Sequence, residues 1–176
     1  NNMVRSEKQL LTEDADTNAQ VIDQWLLKEA GIIHTMRDTL AYMNTKDGET
    51  IMNYLEKQLG ENEDALMYYC CLEKEKSVLP ADHSTLDLDP TERDWWKQAV
   101  SENGLIFTAP YTDFATGQMI VTIAEPLTLE GDTAVILADI TIDKLVEMTQ
   151  QIRDSKTETF LLASDGSVIT HENKEY

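Results

Sequence analysis

Arg93-Asp94-Trp95-Trp96 places a guanidinium and two indoles within four consecutive residues, and holds two of the chain's three tryptophans. Tyr111-Thr112-Asp113 follows, ahead of the run Thr122-Ile123-Ala124-Glu125-Pro126. An arginine fork binds a carboxylate through two parallel hydrogen bonds, an indole N–H adds a donor, and a nearby aspartate holds an ammonium. Together these groups suit a zwitterion. Neighbouring side chains on a helix point roughly 100° apart, so at most one of the two indoles is expected squarely in a core. The other is then left to line a wall. Spacing alone leaves a second arrangement open, in which the aromatic side packs on a sheet and Arg93 pairs with an acid such as Asp89.

Other chemistry is poorly represented. The chain has no Gly-rich phosphate loop, no nucleophile elbow and no His-Glu-x-x-His motif. Its 33 Asp and Glu among 176 residues make any carboxylate pair unspecific. Asp87-x-Asp89 with Glu92 and Asp94 faintly resembles a calcium loop. Arg93 sits among those acids and the Gly of such loops is missing, so neither a metal nor a cofactor is expected. His34, His83 and His171 are far apart, and His34 reads as a boundary residue on a helix. Cys70 and Cys71 are adjacent, which suits neither a disulfide framework nor spaced zinc ligands, and they read as strand residues facing opposite ways. Only 14 Lys and Arg offset the acids, a net charge of −19. Phosphate repels such a surface, so nucleic acid and anionic membrane faces are excluded as partners.

The elements that must position these residues follow from periodicity. Apolar residues from Leu11 to Met43 recur at spacings of three and four, predicting one long amphipathic helix over Val4–Met43. Pairing of this helix with a second copy and packing along its own domain are both open. A second helix is expected over Glu49–Leu59, ended by Gly60. Strands are expected at Ala65–Leu72 and Val78-Leu79, and a capped helix starting at Asp89-Pro90 carries Trp95 and Trp96 to Asn103-Gly104. Leu105–Ala109, Met119–Leu127 and Thr133–Ile140 read as strands, Ile142–Arg153 as a helix, and Glu158–Ala163 with Val168–His171 as a last hairpin. The layout is α+β, with helices packed on an antiparallel sheet. No apolar run approaches the roughly 20 residues of a membrane helix. The chain opens at Asn1 and stops inside a patterned segment, and is read as a piece of a longer protein.

Asp89-x-x-x-Arg93-x-Trp95-Trp96-x-x-Ala99, Tyr111-x-Asp113-x-x-Thr116-Gly117 and Val121-Thr-Ile-Ala-Glu-Pro126 together resemble the double-Cache (dCache) extracellular sensor family. Ile136-Leu-Ala-Asp139-Ile140 stands where that family carries a Gly-Val-x-Asp-Ile strand, and Phe160–Ser164, Asp165-Gly166 and Ile169-Thr-His171 resemble its following hairpin. The resemblance implies the sensor region of a transmembrane receptor at the cell membrane, lying outside the cytoplasm. Residues 1–45 are then the long helix, residues 46–154 a membrane-distal PAS-like module, and residues 155–176 the start of a membrane-proximal one. It further implies a small-molecule ligand, signalling without catalysis, and a homodimer through the long helix.

Family members that bind amino acids place an Arg and a Trp on the ligand carboxylate, and a Tyr-x-Asp and a later Asp on its amino group. Carried over residue by residue, the resemblance assigns those roles to Arg93, Trp95, Tyr111, Asp113 and Asp139. Trp96 stands where the pattern has Tyr, as a further candidate at the site. Leu88 stands where another Tyr is expected. Both departures remove a hydroxyl, which keeps open a different small ligand, or a degenerate site whose signal arrives indirectly.

Overall fold

Helix α1 runs from Asn2 to Met43 in the computed structural model, which describes the backbone of residues 2–152, 160–162 and 168–171. It ends where Asn44 turns left-handed (φ 46°) and donates its N–H to the Leu40 carbonyl, a conformation Asn tolerates better than most residues. Asp47 then opens α2 (Gly48–Glu61) by accepting the Thr50 N–H at 2.9 Å, which satisfies one of the amides a helix start leaves bare. The helix passes through Gly60, where the sequence placed its end. It stops instead at Asn62, whose side chain donates to Glu29 and to the Tyr68 hydroxyl.

Strands β1 (Met67–Leu72), β2 (Ser77–Pro80), β3 (Ile106–Phe107), β4 (Tyr111–Thr112), β5 (Met119–Leu129) and β6 (Asp132–Thr141) form one antiparallel sheet. Its order is β2-β1-β6-β5-β3, with β4 also paired to β5. The strand expected over Leu105–Ala109 is shorter, Ile106–Phe107, and Pro110, which has no N–H for a ladder, separates it from β4, a strand that the periodicity did not predict. Glu130 (φ 48°) and Gly131 (φ 76°) make the two-residue turn between β5 and β6, and left-handed geometry at both positions matches the twist of the strands. Asn44 accepts the Glu130 N–H at 2.7 Å and holds that turn against the end of α1.

Both faces of the sheet are buried. On one, Ile33, Met36 and Leu40 of α1 and Ile51 and Leu55 of α2 are buried, and α2 packs on β1 and β2. Arg37 of α1 reaches the Pro126 carbonyl at 3.4 Å and His34 reaches Glu125 at 2.9 Å, fastening α1 to β5. On the other face, Tyr69, Cys71, Ala124, Val135 and Leu137 form a cluster with helix α3 (Asp94–Glu102). Alternation along β1 sends Cys70 to one face and Cys71 to the other, both buried and both free thiols.

Asp89 caps a short 3-10 turn, Pro90–Glu92, rather than the helix that carries the tryptophans. The chain is extended at Arg93 (ψ 144°), and α3 begins after it. Arg93 is thus the N-cap residue of α3 and not part of its helical turns. Trp95 and Trp96 are both buried, at 8% and 4% exposure, correcting the expectation that only one could be. Their rings meet edge-on, with centroids 6.3 Å apart, and the apolar cluster extends around α3 far enough to cover both.

The structure divides into two compact units, one of which spans Glu29–Thr141 and holds the sheet, α2, α3 and the second half of α1. The other holds the first part of α1, helix α4 (Ile142–Ile152) and the antiparallel pair β7 (Phe160–Leu162) and β8 (Val168–His171). Arg153, the ends of the expected strand Glu158–Ala163 and the Asp165-Gly166 turn lie outside the described residues. Among the described residues no helix is long and apolar enough to cross a membrane.

Candidate functional site

A cleft opens between the α3 face of the sheet and the segments around Leu86 and Phe114. Arg93, Trp95, Tyr111, Asp113 and Asp139 all line it. Trp96 does not. Its indole is turned into the core cluster, so the structure moves this candidate from the cavity wall to the packing behind it. Leu88 lies in the wall of the cleft.

Arg93 is half-buried, and its guanidinium lies 5.8 Å from the centre of the Phe114 ring. Among the described residues no carboxylate stands within ion-pair distance of it. Asp89, the partner weighed on sequence grounds, accepts instead from Thr91 and lies 2.9 Å from Lys76. A guanidinium that faces a cleft with only an aromatic face beside it keeps its donor fork available to an anion.

Asp113 closes the turn between β4 and β5. Its Oδ2 accepts from the Thr116 N–H at 3.0 Å and from the Thr116 hydroxyl at 2.6 Å, while Gly117 (φ 71°) completes the turn. Asp113 is thereby fixed by its own loop, and its Oδ1 has no hydrogen-bond partner among the described residues. Asp139 sits on β6 opposite Thr122 of β5, and its Oδ1 accepts the Thr122 hydroxyl at 2.7 Å. That hydroxyl has one proton, so with Asp139 as acceptor it must accept in turn from the Tyr111 hydroxyl. Tyr111, Thr122 and Asp139 thus form a directed chain running from β4 across β5 to β6.

The electrostatics are uneven. Burial pushes the Asp139 carboxyl up to about 7, the charge of Asp113 pushes the same way, and the Thr122 hydrogen bond opposes both. Neither aspartate has a cationic partner among the described residues. Burial, followed by the field of Asp139, also raises the Tyr111 phenol. Tyr69 of β1 lines the cleft as well, and burial and the two aspartates raise its phenol. Its hydroxyl has no hydrogen-bond partner among the described residues.

Sequence reasoning missed Tyr69 and Thr122. Tyr69 sits in an apolar run that reads as core. The available signal was the strand period, which puts Tyr69, Leu137 and Asp139 on one face once β1 and β6 are paired. Among the described residues no cluster of His, Cys, Asp and Glu has a geometry that could hold a metal.

A family model described as the methyl-accepting chemotaxis protein-like, first PDC sensor domain matches residues 8–147. The chain belongs to that family. Among curated relatives, this sensor domain is 26% identical over 178 residues to methyl-accepting chemotaxis protein PscA of Pseudomonas syringae pv. tomato. That match covers 98% of this chain but 27% of PscA, so the domain spans about a quarter of its relative's length. It is also 37% identical over 117 residues to methyl-accepting chemotaxis protein TlpB of Bacillus subtilis, covering 65% of this chain and 16% of TlpB. The ligand-binding domain of the Pseudomonas aeruginosa PAO1 amino acid chemoreceptor PctB, solved with L-Arg, has a TM-score of 0.81 and 25% identity. It covers 97% of this chain and 73% of that one. The corresponding domain of PctC from the same organism, solved with GABA, has a TM-score of 0.82 at 22% identity and covers 94% and 76% of the two chains. The sensor domain therefore has the α+β fold of these chemoreceptor domains.

Proposed function

We propose that this sensor domain binds a free α-amino acid in the cleft between α3 and the sheet, and that binding there is the input of a membrane-anchored signalling receptor. The observation that carries the reading is one cavity lined by a guanidinium, Arg93, and two carboxylates, Asp113 and Asp139, none of which has a partner of opposite charge among the described residues. The ligand carboxylate takes the Arg93 fork, with the Trp95 indole beside it. The ammonium takes Asp139 and the Oδ1 of Asp113, with Tyr111 supplying a further oxygen. Binding then shifts the population of domain conformations and involves no reaction of the ligand. Neighbours solved with amino acids support this reading.

In the same proposal residues 1–45 form the helix rising from the membrane, residues 46–154 the ligand module and residues 155–176 the start of a second module outside the cytoplasm. Two copies pair through α1. A second reading, a simple amine as ligand, is favoured by the excess of two carboxylates over one guanidinium.

A thermal-shift screen with the common amino acids, amines and organic acids separates these readings. A ligand present at 100 times its dissociation constant adds roughly 2.7 kcal/mol to stability. Arg93→Ala should abolish the response to amino acids, since it leaves the ligand carboxylate without its bidentate partner, but should leave an amine's response in place. No shift with any amino acid would sink the main proposal.

A further inference from the structure

The lining of the cleft is segregated, and the segregation carries information about the part of the ligand that the zwitterion-binding groups do not touch. The sheet order β2-β1-β6-β5, with β4 also on β5, puts Tyr111, Thr122, Asp113 and Asp139 toward the β4–β5–β6 side. Toward the β2–β1 side the wall changes character. Val78 of β2, its cross-strand partner Cys71 of β1, and Leu137 of β6 are joined there by Leu86 and Leu88 from the segment before the 3-10 turn. Burial holds the Cys71 thiol protonated, well above its ordinary range. Tyr69, two residues before Cys71 and on the same face of β1, adds a phenol to this side of the lining.

Resting on the amino-acid reading above, we propose that the cleft selects amino acids with an uncharged aliphatic side chain, seated against Cys71, Val78, Leu86, Leu88 and Leu137. A charged side chain placed there would be desolvated with no opposite charge to receive it. A shorter one would leave the wall unfilled, and each methylene a hydrophobic pocket can grip is worth about 10–200-fold in discrimination. Val78, Leu86 and Leu88 also line a groove on the outer side of the same segment. They are therefore a thin partition, and truncating them should lengthen the side chain that fits.

Isothermal titration of the full chain with L-leucine, L-isoleucine, L-valine, L-methionine, L-alanine, L-aspartate, L-glutamate, L-lysine and L-arginine tests the proposal. At least one of the first four should bind ten times or more tighter than alanine and than every charged amino acid. Alanine, or any charged amino acid, binding as tightly as the best aliphatic one overturns the selectivity while leaving the amino-acid reading intact. Silence from all nine, with no response from the remaining common amino acids, overturns both. Leu88 is only partly buried and lies in an irregular segment, so Leu88→Asp is compatible with the fold. It should weaken the aliphatic ligand at least tenfold and improve L-lysine or L-arginine. Leu86→Ala, a milder change, should move the preference toward longer aliphatic side chains. Unchanged affinities in both folded variants, checked by circular dichroism, count against this wall as the side-chain site.

Discussion

Asp139 is where pH acts on the site. Its carboxyl titrates at about 7 because burial disfavours the charged form and Asp113 adds repulsion. An ammonium ligand needs the carboxylate, so affinity should be full above pH 7 and fall as pH drops through it. Calorimetry at pH 6 and pH 8 in buffers of different ionisation heat should show tighter binding at pH 8 and proton release at pH 6. Asp139→Asn should weaken binding at pH 8 and flatten the profile. For stability the sign is reversed. The folded carboxyl holds its proton more tightly than the unfolded chain, where Asp titrates at about 3.9. Its contribution is therefore complete below pH 4 and declines as pH rises toward 7, by about 1.4 kcal/mol per unit at most. In denaturant titrations Asp139→Asn should accordingly gain on the parent as pH climbs from 5 to 8. Thr122→Val removes the hydroxyl that favours the carboxylate, and should move the midpoint of the binding profile to higher pH.

Elements hold these residues by contacts that were legible to different degrees. Helix α1 is tied to β5 by His34, whose Nδ1 lies 2.9 Å from Glu125 and whose Nε2 lies 3.6 Å from Asp38. The Glu125 hydrogen bond, its charge and that of Asp38 raise His34 above its ordinary value of 6.5, and Arg37 opposes them. This link is complete below about pH 6.5 and is lost as pH rises through the higher folded value. His34→Gln should reduce the pH dependence of melting on that flank, measured between pH 6 and 9. The long helix, the hairpin turns and the strands of the sheet were readable because their periods and turn residues agree with the final packing. Asp139 was not readable from spacing, since it meets Thr122 only through the β5–β6 register. Tyr69 was hidden in a run that is apolar on both faces, where alternation carries no polarity signal. The helix start was misplaced because Asp89-Pro90 has every mark of a cap yet opens a single 3-10 turn. Trp96 was carried into the site because it stands where the resembled pattern has Tyr, whereas its indole packs in the cluster behind the cleft. Trp96→Ala should thus cost about 3–5 kcal/mol in stability, measured by denaturation without ligand.

The whole molecule carries −19, and self-repulsion on that scale lowers the stability of the compact state. Raising NaCl from about 10 to 150 mM shortens the screening distance from about 30 to 8 Å and should raise the melting temperature of the ligand-free domain. A fall would mean that pairs such as Lys46 with Asp132 and Glu75 outweigh the repulsion. The two thiols of β1 give a way to watch such changes. Cys70 and Cys71 are fully buried, with Cys70 pushed up to about 12, so a thiol reagent reaches them only when the sheet opens. Cys70 looks toward the helices, while Cys71 stands in the wall of the cleft. Labelling of Cys70 is then a clock for global opening, and labelling of Cys71 runs on that clock plus any local breathing of the cavity. A ligand that slows Cys71 more than Cys70 announces where it sits, with no residue replaced.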